Sequence, residues 1–131
     1  RAAGAQTTII TIPVTIPSNS NALKGSYLKS IEIDYENLTA AIGTSLTPVI
    51  NKITRAADGA AVGTPAAQAF TQLPSLADSL TADQHKLVLT LTTPIWILNT
   101  EYVLVQLTMI ATANSGTNDF LGAVANFTQR I

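Results

Sequence analysis

The chain has 131 residues, of which 47% are hydrophobic and only 11% charged, and its formal net charge is −1. A chain of this length is one domain that buries roughly 65–70% of its unfolded surface, so its core needs no metal or disulfide. The charged share is less than half the usual share of about 25%. No cysteine is present, which excludes disulfide scaffolds and thiolate zinc sites. The Lys and Arg residues are scattered, so no basic field for nucleic acid exists. No apolar run approaches the roughly 20 residues of a membrane-spanning helix. No leader-like stretch opens the sequence, and its start at Arg1 fits either a processed product or a trimmed chain.

The first element is expected over residues 7–16, where Ile10, Ile12, Val14 and Ile16 alternate with Thr11, Pro13 and Thr15. Period-two alternation makes one face apolar. Pro13 donates nothing to a ladder and so predicts an edge strand. Residues 1–16 are also short and separable enough to serve as an extended arm or exchanged edge strand. Pro17 to Gly25 reads as a loop.

A second strand is expected over 27–36, with Tyr27, Ile31, Ile33 and Tyr35 on one face and Ser30, Glu32, Asp34 and Glu36 on the other. Same-face residues of a strand lie about 7 Å apart, a spacing at which the three carboxylates face solvent or hold a cation. Residues 38–44 fit a strand or a helical turn. A strand follows over 47–55, after Pro48. Ala56 to Ala69 reads as a long connection, with an extended piece at Gln68–Gln72. Ser79 offers a cap for a short helix within 76–84.

Leu87, Leu89 and Leu91 predict a strand over 86–93, punctuated by Pro94. Residues 95–98 are apolar, and Asn99-Thr100 reads as a turn. Residues 102–113 place Val103, Val105, Leu107, Met109 and Ala111 on one face. The final strand runs from Phe120 to Ile131, with Leu121, Ala123, Ala125 and Phe127 alternating against Gly122, Val124, Asn126 and Thr128. Seven or eight strands with turn signals between them predict an all-β, two-layer antiparallel sandwich, jelly-roll-like, with at most one short helix, in a single domain over 1–131.

Nothing in the pattern carries catalytic chemistry. His85 is the single histidine, two residues from Asp83, and no nucleophile elbow accompanies it. It reads as a structural hydrogen-bonder or a group that tunes assembly near neutral pH. No phosphate-binding glycine loop is present. Asn37-Leu-Thr39 and Asn126-Phe-Thr128 match the glycosylation pattern, which chance explains in so Thr/Asn-rich a chain. Trp96 reads as a core anchor or an interface residue. The expectation is a non-enzymatic protein with no cofactor and no metal. Its candidate interface residues are Ile10, Ile12, Val14, Trp96, Phe120 and Phe127.

The segment Asp119-Phe-Leu-Gly-Ala-Val-Ala-Asn-Phe127 resembles the closing strand of trimeric jelly rolls of the tumour-necrosis-factor and complement-C1q type, through an aromatic-x-Gly-aliphatic pattern at Phe120–Ala123. In texture the chain is similar to small structural proteins of virus and phage particles. The resemblance implies a symmetric homo-oligomer, a trimer foremost, or a partner of other virion proteins, serving as a capsid, decoration or fibre element in a virion or outside the cell. It carries over no functional residue. Two other readings predict different behaviour. A cell-surface filament subunit would donate Thr7–Ile16 to a neighbour's sheet. A carbohydrate-binding module would use Asn- and Thr-lined loops.

Overall fold

The computed structural model describes residues 6–15, 26–38, 45–56, 63, 65–75, 78–98, 100–111 and 118–129. Eight strands are present there: β1 (Gln6–Val14), β2 (Ser26–Asn37), β3 (Ser45–Thr54), β4 (Pro65–Gln68), β5 (Phe70–Leu73), β6 (Gln84–Ile97), β7 (Glu101–Ala111) and β8 (Asn118–Gln129). One 3-10 turn, Asp78–Leu80, is the only helical element among the described residues. The strands form two four-stranded antiparallel sheets, ordered β1-β7-β3-β4 and β5-β6-β2-β8. The all-β two-layer sandwich is therefore the fold. Its first strand pairs with the seventh, and its second with both the sixth and the eighth.

The core lies between β7, β3 and β1 on one side and β2 and β6 on the other. Val103, Val105, Leu107 and Met109 of β7 face Ile31, Ile33 and Tyr35 of β2 and Leu87, Leu89 and Leu91 of β6, and all are buried. Each set recurs at every second position because successive residues of a strand point to opposite faces. Ile12 completes the core from β1, while Ile10 and Val14 pack on it half-buried. Pro13 stands on β1, which among the described residues pairs only with β7, so the edge position it predicts is where it sits.

Irregular pairings account for the places where simple alternation misreads a face. Lys29 is an extra residue between the pairings of Leu28 and Ser30 to β8. A one-residue insertion inverts the side-chain sense of everything before it. Leu28 is therefore buried and Tyr27 is 45% exposed, the reverse of the expected face. Tyr27 instead meets its ladder partner Trp96 edge-on, with ring centroids 4.4 Å apart. Trp96 is half-buried outside the core, which corrects its reading as a core anchor.

Pro94 does not end a strand. β6 runs through it to Ile97, because residues 91–94 lie between the Thr90 and Ile95 pairings to β2 and need no donor there. The extended piece expected at Gln68–Gln72 is split at Ala69. Gln68 belongs to one sheet and Phe70 to the other, and the Thr92 N–H donates to the Ala69 carbonyl at 3.0 Å across the change. The short helix is capped by Ser75 rather than Ser79: its Oγ accepts from the Asp78 N–H at 3.3 Å and donates to the Asp78 carboxylate at 2.6 Å. Ile16, residues 39–44 and residues 57–62 lie outside the described residues.

Candidate interaction surface

The two sheets are unequally covered on one side. β8 pairs with β2 along its length, and among the described residues no strand lies on its other flank. Its register with β2 sets which residues look inward. Phe127 lies opposite Leu28, Ala125 opposite Ile31, Ala123 opposite Ile33 and Phe120 opposite Tyr35, all buried partners. Leu121 is the extra residue of a bulge between Phe120 and Gly122. Without it the inward series would run to Leu121, as plain alternation predicts.

The facing layer ends at β1. Ile12 and Val14 of β1, Ile31 of β2 and the inward Phe120, Ala123 and Ala125 of β8 line a groove of about 310 Å³ between the two edge strands. Phe120 is 39% exposed, Leu121 52%, Val124 52% and Phe127 37%. Apolar side chains are thus open on both faces of one strand. Exposed apolar side chains of this kind make the strand a candidate contact surface. Apart from its Leu121 bulge, β8 carries few of the usual guards of a free edge: its range holds no lysine and no proline, and its one charge is Asp119.

Of the six candidate interface residues, Ile12, Val14 and Phe120 line this groove. Phe127 lies on the same inward face of β8. Ile10 shares the inward face of β1, opposite Leu107. Trp96 lies apart, paired with Tyr27. Three contributors escape a reading by size and hydrophobicity. Ala123 and Ala125 are small, and Val124 belongs to the opposite face. Their signal is the run Gly-Ala-Val-Ala over 122–125, whose short side chains leave a strand edge open.

The start of β8 is fixed by a polar knot. Asn118 Nδ2 donates to Asn37 Oδ1 at 2.9 Å and to the Glu36 carbonyl at 3.3 Å. Asn37 Nδ2 donates to the Thr81 carbonyl at 2.7 Å, and the Asn37 N–H to the Asp83 carbonyl at 2.9 Å. Both asparagines are buried, and satisfied buried amides fix strand placement because an unpaired one is costly. Asn37 is thus a tie between strands. His85 joins the knot: its Nε2–H donates to the Thr81 carbonyl at 2.8 Å, and its ring stacks on Tyr35 at 5.2 Å. Asp83 instead accepts the Gln84 N–H at 2.8 Å. His85 is held as a structural group.

The polar outer face of the β8 sheet is tied across strands. Asn126 donates to Glu32 at 2.9 Å and to Ser30 at 3.2 Å, and Lys86 pairs with Glu32 at 3.2 Å. The Asn126 hydrogen bond, followed by Lys86, holds the Glu32 carboxyl below its ordinary value of 4.5. Glu32 raises the Lys86 ammonium above its ordinary 10.5. Glu32, Asp34 and Glu36 form no metal-holding group, nor does any other set among the described residues.

A second cleft, of about 390 Å³, opens at the β6–β7 end between Val14, Ile97, Val103 and Tyr102. Its charges are engaged: Glu101 pairs with Lys52 at 3.1 Å and accepts the Leu98 N–H at 3.0 Å, and the Arg55 guanidinium lies 5.7 Å from the Tyr102 ring centre. No described helix is long and apolar enough to cross a membrane. Comparison with protein-family models, with curated proteins and with solved structures finds no match.

Proposed function

We propose that this protein is a structural subunit that assembles with copies of itself through the open β1/β8 side of its sandwich, as a capsid, decoration or fibre component of a virion. The observation that carries the reading is the twelve-residue edge strand β8, without lysine or proline and with apolar side chains exposed on both faces. A free edge offers a row of backbone donors and acceptors, and the apolar side chains add burial once that row is paired. Low charge supports the same reading: a surface with few ion pairs to desolvate is covered at little cost.

Strand donation by Thr7–Ile16 is the weaker alternative. β1 already occupies its own sheet, with nine consecutive pairings to β7 from Gln6↔Ala111 to Val14↔Val103. Exchange would have to break that ladder and withdraw Ile12 from the core.

Sedimentation velocity at micromolar concentration tests the proposal. The parent chain is expected to sediment as an oligomer. Ala123→Lys, which points a charge into the groove from an exposed position, is expected to give a monomer with an unchanged far-ultraviolet circular dichroism spectrum. A parent chain that is monomeric throughout that range would refute it.

A further inference from the structure

We infer that β8 pairs antiparallel with β8 of a second copy about a two-fold axis at Ala125, joining two four-stranded sheets into one of eight strands. The inference rests on the self-assembly reading and specifies its contact.

Two identical antiparallel edges meet with residues of like face opposed, so the paired positions sum to an even number. Beyond the Leu121 bulge, β8 pairs with β2 from Gly122 to Gln129, and the one irregularity within that stretch is the Lys29 insertion on the β2 side. Centring the axis at Ala125 pairs Gly122 through Thr128 with the same residues of the second copy. On the inward face it sets Phe127 of each copy opposite Ala123 of the other, and Ala125 opposite Ala125. A large ring against a small methyl at both ends fills the space without overlap, the interdigitation that close-packed interiors require. The second copy's Phe127 then stands beside Ala123 at the mouth of the groove, against Ile12 and Val14.

The neighbouring registers fit less well. Centring at Val124 opposes Leu121 and Phe127, two large side chains, and runs the ladder across the bulge. Centring at Asn126 drops Gly122 from the pairing and sets Ala123 opposite Gln129 instead of Phe127. With the axis at Ala125, the outer face pairs Val124 with Asn126 and Gly122 with Thr128. A Cβ on Gly122 would meet nothing within 4 Å among the described residues. The glycine therefore leaves room for a neighbour beside it. The one charge of the strand, Asp119, falls outside the paired segment, so no like charges are brought together.

The occupant is therefore a second copy. The same edge is complementary to itself in shape and carries no charge within 122–128 for a differently charged partner to answer.

Because the chain has no cysteine, single-cysteine variants read the register directly. Under mild oxidation A125C is expected to form a covalent dimer at least roughly tenfold faster than V124C or N126C. Only the 125 pair would fall within the Cα separation of about 4.4–6.8 Å that a disulfide spans. A second readout uses shape alone: A123F is expected to dissociate the pair, and the exchange A123F/F127A to restore it. Oligomers in which V124C or N126C reacts fastest, or in which the exchange restores nothing, overturn the register. Oligomers with no β8 cross-link overturn the edge pairing while self-assembly stands. A chain that remains monomeric overturns both.

Discussion

β7 and β8 are nearly equal in length, and each sets apolar residues at every second position on its inward face over most of that length, yet they end in opposite situations. β7 lies between β1 and β3 and faces the second sheet, and Val103, Val105, Leu107 and Met109 are each no more than 1% exposed. Among the described residues β8 has one neighbouring strand and a groove opposite it, and its large apolar residues remain more than a third exposed. Alternation shows that a strand has an apolar face. It does not show whether the same chain supplies the cover. In β7 the cover is intramolecular; in β8 the account assigns it to another copy.

That contrast can be broken by substitution. Leu107→Ala empties a fully buried site and is expected to destabilise the monomer by about 2–5 kcal/mol at any protein concentration. Val124→Thr, at a half-exposed site, is expected to change monomer stability by less than about 0.5 kcal/mol. Urea unfolding of both variants below the association range makes the comparison. A loss at Val124 matching that at Leu107 would mean that β8 is covered within its own chain.

A smaller effect sharpens the contrast from the outer face, where Asn126 and Lys86 hold Glu32 ionised. Because the folded carboxyl titrates below 4.5, its contribution is present above that pH and fades as pH falls through the depressed value. Acidification below 4.5 is expected to lower the urea midpoint slightly more in the parent chain than in Glu32→Gln. Equal shifts in the two would remove Glu32 from the ties that hold β8 to β2.

The layered β-sandwich was legible because Ile31, Ile33 and Tyr35, or Val103 through Met109, keep strict alternation over lengths that admit no helix. The errors cluster at inserted residues. Lys29 turns Tyr27 outward, and Leu121 shifts the inward series of β8. Pro94 sits where β6 has left its partner. A one-residue bulge costs little locally and inverts a face, and composition does not announce it. The candidate surface was half legible. Phe120, Phe127, Ile12 and Val14 were marked by size and position, whereas Ala123 and Ala125 matter because they are small. The knot of Asn37 and Asn118 joins residues 81 apart in the chain, a relation no local pattern encodes.

Amide hydrogen exchange of the unaltered chain, followed as concentration is raised, tests the central claim most directly. Protection is predicted to rise with concentration over Gly122–Thr128 and at the flank of β1, while β7 stays equally protected throughout. Exchange on β8 that is independent of concentration, in a range where the chain is shown to associate, would contradict the account.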